Sequence, residues 1–465
     1  MVISMRLVMK FGGICTSSGA NILRIVNIVK THVERGDKVI LVISAMAGVT
    51  DTLIALIDAA LAGNVDEIHR LLSTIKNRHI QACIEAIKDD GMRTTTMQEL
   101  EDNIRELFSM LTIISYLKEA SPRSRDRVLA FGEKMAARIV WRALLTEGIK
   151  AEYFTGGQAG IITDDSFGQA NPLMPLCKER LKSTLLPLID KGVVPVVTGF
   201  IGQTVDGIET TLGRGGSDYT ATIIGAALEF DEVWVWKDVE GIMTADPKIV
   251  PNAKPIPKIS YDEATELAYF GAKVLHPLAL KPLIEKRIPL RVRSFFNLEN
   301  PGTIVHCDSS NERIVKAVSM IPKVAIITVS GAGLYEAPLI IAKVFNALFD
   351  VGANAIMVSQ SSSQTNISIV VGGDKLNVIL KRLKALLPEN CDVTWEGDVC
   401  VIAVVGSGMR GRPGVAAKVF NAVAERGVNV RMIAQGASEL NISLVVKQDD
   451  AIKAVQAIHN AFIGA

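Results

Sequence analysis

The sequence predicts an α/β domain with a mainly parallel sheet, followed by a doubled α+β module. In the first part of the chain, from Arg6 to about Ser294, short β-branched runs alternate with helical patterns. Such runs, without polar alternation, are typical of strands that are buried on both faces of a sheet. In the last part, one pattern of strand, helix, strand, strand, helix occurs twice. We therefore expect a sheet between helices and two smaller repeated units.

Length and composition limit the class of protein. The 465 residues suggest about two to four domains, and a chain of this length needs no disulfide or metal to fold. The balance of 50 Lys+Arg against 49 Asp+Glu gives a net charge of +1, which argues against a nucleic-acid or acidic-membrane partner. The six cysteines form no C-x-x-C pair, so we expect neither a zinc ribbon nor a disulfide framework, and a cytoplasmic location. Neither a membrane-spanning run nor a signal peptide is recognisable.

The first domain has identifiable strands, and its end is marked by composition. Apolar runs at residues 7–9, 39–43, 193–197 and 233–236 predict buried strands. A charged stretch from about 66 to 118 has helical spacing, and we interpret it as a solvated helical excursion. The stretch 297–310 is rich in Asn, Pro, Gly and Ser and predicts a linker. The expected division is a first domain at 1–296, a linker at 297–312 and a repeat region at 313–465.

The repeat is explicit in the sequence. Residues 331–371 match residues 406–446 at a constant offset of 75, with about 19 of 41 positions identical. The second copy stops in its last helix, one strand short of the first, which would leave an exposed sheet edge. Residues 313–318 can supply that strand. We infer that the first repeat, about 321–395, is inserted into the second, which comprises about 313–320 and 396–465.

The doubled β-α-β-β-α-β unit resembles the ACT domain, a ferredoxin-like α+β fold. The resemblance implies that a small amino acid binds between paired domains, and therefore at least a homodimer; the alternative is a pair of packing modules. The effector candidates are Gly333, Asn354, Gln360, Asn366, Gln435 and Asn441. The strand at 354–358 carries no acidic residue to hold a buried cation, which would be costly without a partner. The neutral Gln360 and Gln435 favour threonine over lysine as the effector.

One glycine motif of the repeat region suggests a different site. Gly406-Ser-Gly408-Met-Arg-Gly411 matches the dinucleotide-binding pattern G-x-G-x-x-G. The other repeat has Glu336 in place of the third glycine, so we interpret these glycines as shaping a turn that holds an effector's main-chain groups. No Gly-Lys dipeptide occurs, which excludes a P-loop, and no G-x-S-x-G elbow occurs.

Two glycine-rich segments of the first domain predict an anion site. Lys10-Phe11-Gly12-Gly13 follows the first strand; its glycines allow a close approach to a phosphate and its lysine supplies a positive charge. The segment 210–220, Thr-Thr-Leu-Gly-Arg-Gly-Gly-Ser-Asp-Tyr-Thr, places Arg214 and Asp218 at a predicted helix start. Unsatisfied N–H groups there would face an anion. Ser217 or Asp218 could also cap the helix.

The chain resembles the aspartate kinases of the amino acid kinase family over nearly its whole length. The resemblance is carried by the two glycine-rich segments, 10–13 and 210–220, and by the segments 44–50, 131–133, 236–248 and 270–277. The resemblance implies the amino acid kinase fold and transfer of a phosphoryl group from ATP to the side chain of L-aspartate. The product, 4-phospho-L-aspartate, begins the synthesis of lysine, threonine and methionine. Mg²⁺ would be held mainly through the nucleotide phosphates, so no protein metal site is expected.

The resemblance also implies roles for individual residues. The catalytic pair is Lys10, which neutralises the transferred phosphoryl group, and Asp218, which orients that lysine. Arg214 and Glu133 hold the α-carboxylate and α-ammonium of aspartate, groups that suit an arginine fork and a carboxylate. The other substrate candidates are Ser44, Thr50, Gly216 and Ser217. The ATP candidates are Lys10, Gly12, Gly13, Lys237, Asp238, Met243, Lys248 and Lys273. The acceptor carboxylate, with a pKa of about 3.9, is already an anion at pH 7, so no general base is needed.

Taken singly, each of these residues could instead form an ordinary salt bridge or structural pair.

The chain departs from the pattern of the family at residues expected near the nucleotide. Ile14-Cys15 stand in place of Thr-Ser, and Lys237 in place of threonine. Met243 replaces a tyrosine and Lys248 an arginine. An exposed, reactive Cys15 would make the protein thiol-sensitive.

Several functions remain open at this point. The chain is a working kinase with altered nucleotide affinity, a slow kinase, or a paralogue that binds amino acids without catalysis. Another acylphosphate-forming kinase of the same fold is a further alternative. The retention of Lys10, Arg214, Asp218 and Lys273 favours the working enzyme.

Overall fold

A computed structural model describes residues 4–271, 274–307, 313–331, 337–361 and 366–464. Its contacts divide the chain into two compact units. The first unit comprises Met1–Gly241 and Leu275–Cys307, and the second comprises Ile242–Val274 and Asp308–Ala465. Within the described ranges, no helix has the length and apolar character that a membrane crossing requires.

Helices and strands alternate in the first unit and repeat in the second. Up to the seventh strand the elements are β1 (Arg6–Phe11), α1 (Gly19–Glu34), β2 (Lys38–Ile43), α2 (Val49–Ala62), α3 (Val65–Ala86), α4 (Asp90–Leu117), α5 (Pro122–Leu129), α6 (Phe131–Thr146), β3 (Ala151–Phe154), α7 (Gly156–Ala159), α8 (Met174–Asp190), β4 (Val194–Thr198), β5 (Ile201–Gln203), β6 (Glu209–Thr211), α9 (Gly216–Leu228) and β7 (Glu232–Lys237). The remaining elements are β8 (Lys258–Ser260), α10 (Tyr261–Tyr269), α11 (Pro277–Lys286), β9 (Leu290–Ser294), β10 (Thr303–His306), β11 (Ala317–Ser330), α12 (Ala337–Asp350), β12 (Met357–Gln360), β13 (Asn366–Gly372), α13 (Leu376–Leu386), β14 (Asp392–Val405), α14 (Val415–Ala424), β15 (Met432–Gln435), β16 (Asn441–Lys447) and α15 (Ala451–Phe462).

The first unit is built on a mainly parallel sheet, as predicted. Its strands lie in the order β3-β4-β2-β1-β7-β9-β10, and neighbours run parallel except for β10, which is antiparallel to β9. Strands β1, β2 and β4 are almost completely buried, which explains their continuous apolar runs. Since the carboxyl ends of parallel strands meet at one edge, the residues that follow β1, β2 and β7 come together there.

The charged stretch at 66–118 is helical, as predicted, but it is not a fully solvated excursion. It forms α3 and α4, whose apolar stripes, including Leu71, Leu107 and Leu111, belong to the same buried core as the central strands. The charged residues occupy the outer faces of these helices. The interpretation failed because the many charges obscured an amphipathic pattern.

The second unit contains one antiparallel sheet in the order β12-β13-β11-β14-β16-β15. Each repeat has the predicted succession of strand, helix, strand, strand and helix. The long strands β11 and β14 pair along their whole lengths, with register shifts between Ile321 and Ile326. Beyond that irregularity, β11 pairs with β13 of the first repeat, whereas the last part of β14 pairs with β16 of the second.

The units are divided differently from the boundaries expected from the sequence. Within the predicted linker, Thr303–His306 forms β10 and pairs with β9 of the first unit. The segment Ile242–Val274 belongs to the second unit, where Ala245 and Val250 lie in an apolar core with Val315 and Val318. Composition gave no sign of this, because the segment reaches its packing partners across a long stretch of chain.

Buried charges also attach this segment to the rest of the second unit. Nζ of Lys316 lies 2.9 Å from Oε2 of Glu263, and both side chains are buried. Oε1 of Glu263 accepts a hydrogen bond from the Ser407 amide at 2.7 Å. The ion pair and this hydrogen bond together offset the cost of burying the carboxylate.

Candidate functional site

The turn after β1 is shaped by close backbone contacts. The Ala47 amide donates to the Gly13 carbonyl at 2.9 Å, and a Cβ at Gly13 would lie 2.9 Å from the Ala45 carbonyl oxygen. A side chain at this position would displace the segment that follows β2. The glycine therefore places the end of β1, and Lys10 with it, beside Ser44 at the carboxyl edge of the sheet.

The second glycine-rich segment ends at the start of helix α9. Gly215 is the N-cap residue, with a φ of 75°, and no side chain caps the helix. The capping role considered for Ser217 and Asp218 is therefore wrong, because both residues lie inside the first turn. The N-terminus of α9 carries the partial positive charge of the helix dipole, which favours an anion.

The predicted catalytic and substrate residues line one cavity of about 340 Å³ in the first unit. These residues are Lys10, Ser44, Thr50, Glu133, Arg214, Gly216, Ser217 and Asp218, and Gly13 also lines the cavity. They come from the ends of β1 and β2 and from the starts of α2, α6 and α9. Sequence reasoning did not identify Phe200, which also lines the cavity and adopts a left-handed backbone conformation with a φ of 67°.

Asp218 forms ion pairs with two lysines. Its Oδ1 lies 2.6 Å from Nζ of Lys10, and its Oδ2 accepts a hydrogen bond from Nζ of Lys237 at 3.1 Å. Burial alone raises the pKa of Asp218, but the two ammonium groups outweigh it, and the pKa falls to about 2. The carboxylate is therefore ionised throughout the neutral range. The pKa of Lys237 lies below its usual value, because burial and the Lys10 ammonium lower it by more than Asp218 raises it.

Glu133 is a buried carboxyl group in the first turn of α6. Burial raises its pKa to about 7, and the amides of Ala45 and Glu133 and the Lys10 ammonium lower it only in part. Among the described residues, its Oε2 has no hydrogen-bond partner. An ammonium group in the cavity would supply that partner and favour the ionised form of the carboxyl group.

A positioning residue that sequence reasoning missed is Asp126 on α5, which is fully buried. Its Oδ2 accepts hydrogen bonds from the amides of Gly168, at 2.9 Å, and Thr211, at 3.0 Å, and its Oδ1 accepts one from the Thr211 hydroxyl at 2.7 Å. Asp126 thus joins the helix that precedes Glu133 to the strand that precedes Arg214. It lies in the charged string Ser-Arg-Asp-Arg, which gave no signal of burial.

Two further predicted nucleotide residues of the first unit, Gly12 and Asp238, lie at this edge of the sheet. Gly12 is held there by a hydrogen bond from its amide to the Trp236 carbonyl at 3.3 Å, and the exposed Asp238 follows β7. Met243 and Lys248 lie in the second unit, and Lys273 falls outside the described residues.

Cys15 is not the exposed thiol that would make the protein thiol-sensitive. It is completely buried, and its Sγ donates to the Trp236 carbonyl at 3.5 Å. Burial raises the pKa of Cys15 to about 12, although Lys10 lowers it in part. The thiol-sensitivity hypothesis is therefore wrong for this cysteine.

The effector candidates of the second unit do not form one site. Gln360 and Asn366 line a cavity of about 460 Å³ with Thr328, Ser359 and Ser368. The residues that line it from elsewhere in the unit include Glu396 and Arg431, which form an ion pair at 3.3 Å.

The other candidates lie elsewhere. Asn441 donates to Glu266 at 3.2 Å and to Ser443 at 2.9 Å, and neither Gln435 nor Asn354 lines the cavity. Gly333 falls outside the described residues.

The glycines of the Gly406–Gly411 motif serve backbone packing. A Cβ at Gly406 would lie 2.4 Å from the carbonyl oxygen of Ile314, and one at Gly408 would lie 2.5 Å from that of Arg313. The turn is therefore pressed against the chain's own backbone. The prediction that these glycines shape the turn is confirmed, and the binding of an effector's main-chain groups at this turn stays a prediction.

Among the residues that the structure describes, no group of three or more His, Cys, Asp or Glu side chains has the arrangement of a metal site. The lysines and the turn glycines at the carboxyl edge of the sheet suit the phosphates of a nucleotide, which could carry Mg²⁺ with them.

Comparison with protein families identifies two kinds of domain. The model of the amino acid kinase family matches residues 5–294, and the model of the ACT domain matches residues 327–386 and 402–462. Aspartokinase 2, chloroplastic, of Arabidopsis thaliana is 33% identical over 467 residues, which cover 98% of this chain and 84% of that protein.

Longer relatives match over part of their length. The bifunctional aspartokinase/homoserine dehydrogenase 2, chloroplastic, of Zea mays is 32% identical over 464 residues, or 97% of this chain. This chain spans 50% of that protein's length.

Solved structures of similar architecture match almost the whole chain. Aspartokinase III of E. coli in complex with aspartate and ADP has a TM-score of 0.85 and 30% identity, and the match covers 98% of this chain and 99% of that one. The same enzyme in complex with lysine and aspartate has a TM-score of 0.79 and 29% identity, with the same coverage.

We expect Cys15 of the folded protein to resist alkylation by iodoacetamide at pH 8. Its burial excludes the reagent, and its raised pKa keeps the thiol protonated. Mass spectrometry of peptides after brief labelling measures the modified fraction. Exposed Cys307 is the internal control for reagent activity, and labelling in denaturant is the control for detection of the Cys15 peptide. Rapid modification of Cys15 in the native protein would contradict its burial.

Proposed function

Because this chain belongs to the amino acid kinase family and, within it, to the aspartokinases, we propose that it transfers the γ-phosphoryl group of ATP to the side-chain carboxylate of L-aspartate. The resemblance predicted from the sequence is confirmed. The product would be 4-phospho-L-aspartate, at the start of lysine, threonine and methionine synthesis. The bifunctional relatives are about twice as long as this chain.

One observation carries the proposal: a single cavity brings a lysine held by a carboxylate together with a pair of groups suited to an amino acid backbone. Lys10 and its partner Asp218 line the cavity together with Arg214 and Glu133, whose Oε2 has no hydrogen-bond partner among the described residues. Arg214 would bind the α-carboxylate and Glu133 the α-ammonium. The side-chain carboxylate would then be directed toward the phosphoryl group.

The proposed chemistry needs positioning and positive charge rather than a base. The acceptor carboxylate is an anion at pH 7, and phosphoryl transfer spreads negative charge over the oxygens of the group in flight. Asp218 keeps Lys10 in place and remains ionised because of the two lysines around it. The N-terminus of α9 adds a further partial positive charge. ATP carries the phosphoryl group, and Mg²⁺ would neutralise its phosphates.

The direct test is a hydroxamate-trapping assay with Mg-ATP and, in parallel, aspartate, glutamate and acetylglutamate. Hydroxylamine captures an acylphosphate as it forms, so we expect signal with aspartate alone. The Lys10→Met variant, purified in the same way, controls for kinases of the expression host and should give none. Signal with another acceptor instead would indicate a different amino acid kinase. A protein without signal that still binds threonine or lysine would be an amino-acid sensor.

The pH dependence of aspartate binding tests the role of Glu133. Because its pKa is raised to about 7 in the free protein, protonation below pH 7 removes the partner of the α-ammonium. We expect the KM for aspartate to rise about tenfold for each pH unit below 7, with kcat little changed. Steady-state kinetics between pH 5.5 and 8.5 measure this dependence.

The control for that experiment is Glu133→Gln, which keeps the shape of the side chain and removes its titration. This variant should have a high KM for aspartate that varies little across the same range. A wild-type KM that is independent of pH from 5.5 to 8.5 would show that Glu133 does not hold the ammonium group.

Regulation would act through the second unit, by a small amino acid in the cavity lined by Gln360 and Asn366. Threonine is favoured over lysine because these two side chains are neutral and because Glu396, the acidic residue of the cavity, is already paired with Arg431. Pairing of ACT domains between copies of the chain would make the enzyme at least a homodimer.

Inhibition assays separate the two repeats. We expect threonine to lower the hydroxamate rate, and Gln360→Ala to raise the threonine concentration for half-inhibition by about fivefold or more, as expected for a lost hydrogen bond. Gln435→Ala, the equivalent change in the second repeat, should have little effect because Gln435 does not line the cavity. Inhibition by lysine but not threonine would reverse the preference. Equal effects of the two variants would argue against the cavity.

A further inference from the structure

The segment 44–50, between the end of β2 and the first turn of α2, lines the cavity, and we call it the cavity loop. Its residues in the cavity wall are Ser44, Ala45, Met46, Ala47, Gly48 and Thr50. Four of them in a row, at 45–48, have no nitrogen or oxygen in their side chains. The loop therefore depends on partners from elsewhere in the first unit to hold its main chain in place.

Ala47 of the cavity loop is held at both its amide and its carbonyl. The amide donates to the Gly13 carbonyl at 2.9 Å, and the carbonyl accepts a hydrogen bond from Nη1 of Arg78 at 2.9 Å. Arg78 lies in the middle part of α3 and is partly buried. Arg70 of the same helix is exposed and pairs with Glu67 at 2.6 Å. The guanidinium of Arg78 is instead directed to the main chain of the cavity loop.

The hydrogen bond from Arg78 also fixes the direction of the next amide. In a trans peptide the C=O and N–H groups point in opposite directions. With the Ala47 carbonyl held by Arg78, the N–H of Gly48 points away from the guanidinium. Gly48 lines the cavity and is the N-cap residue of α2, with a φ of 78°. Rotation of this peptide would reverse its dipole, which an anionic acceptor nearby would sense.

The cavity loop also contacts the start of α6, where Glu133 lies. The Ala45 amide lowers the pKa of Glu133 and so favours the ionised form, which is the form that binds an ammonium group. A Cβ at Gly132 would lie 2.8 Å from the Cβ of Ala45, so the loop and the helix are in close contact. A shift of the loop would therefore change the surroundings of a group proposed to hold the amino acid.

We propose that Arg78 is a positioning residue for the acceptor: by holding the Ala47 carbonyl, it keeps the cavity loop in the conformation that binds L-aspartate. The inference rests on the proposed function and deepens it, because it assigns a determinant of acceptor binding to a helix behind the cavity wall. Arg78 itself does not line the cavity and acts only through the loop.

Steady-state kinetics with Mg-ATP test this role. Arg78→Met removes the donor and keeps an apolar stem. We expect it to raise the KM for aspartate by about tenfold or more and to change kcat and the KM for ATP by less than about threefold, because the loop holds the acceptor. Arg78→Lys keeps a charged donor and should have a KM for aspartate within about threefold of the wild type. Arg70→Met, the same substitution on the same helix, is the matched control and should leave both KM values unchanged.

Hydrogen exchange provides a readout that does not depend on turnover. We expect the amides of the cavity loop to exchange faster in Arg78→Met than in the wild type or Arg70→Met, and those of the second unit to be unchanged. If thermal unfolding shows that Arg78→Met does not fold, Arg78→Gln, whose shorter side chain reaches less far, replaces it in both experiments. A wild-type KM for aspartate in the folded variant would overturn the proposal. So would equal losses for aspartate and ATP, which a general weakening of the unit would cause.

The two readouts keep this proposal distinct from the proposed function. If the wild-type protein phosphorylates none of the acceptors, the proposed function fails, and hydrogen exchange decides whether Arg78 holds the loop. Faster exchange of the cavity loop in the variant would then support that role, and unchanged exchange would overturn it. If the wild-type protein phosphorylates aspartate and Arg78→Met equals it, only the inference about Arg78 fails.

Discussion

The charge cluster at Asp218 constrains the first unit more than any other interaction described for it. The three side chains, Lys10, Lys237 and Asp218, come from β1, β7 and α9. Burying any one of them without an opposite charge beside it would carry the large desolvation cost of an isolated ion. The three charged groups meet because β1 pairs directly with β7 and because α9 begins at its glycine N-cap, Gly215, beside them. The close backbone contacts of Gly13 follow from the same convergence at the carboxyl edge.

The sequence predicted those parts of the site that depend on local position. The segments that contain Lys10 and Arg214 are expected at the end of a strand and at the start of a helix, so they indicate both the chemistry and the place of these residues. Glu133 is identified by the resemblance alone. The ion pair of Lys237 with Asp218 and the hydrogen bonds of Asp126 depend on which elements become neighbours. Similarly, the internal repeat predicted the second unit's succession of elements, but not that Ile242–Val274 packs within that unit.

The second unit shows why a glycine pattern needs its structural context. Gly406 and Gly408 fit a nucleotide-binding string, yet they allow the turn to lie against the backbone at Arg313 and Ile314. Glu263 then accepts the Ser407 amide of that turn and pairs with Lys316. A buried carboxylate here takes the place that a bound anion would have in a nucleotide site. The same backbone donors can thus be satisfied by a ligand or by the protein itself.

The hydrogen bonds of Asp126 have a consequence for the design of acceptor selectivity. This one carboxylate joins the helix leading to Glu133 to the strand leading to Arg214, so it fixes the spacing of the two groups proposed to hold the amino acid backbone. A longer dicarboxylic acceptor would need the same two contacts and more room beyond them. Engineering such an enzyme would therefore begin with the length and packing of α5 and β6, and would leave the contact residues unchanged.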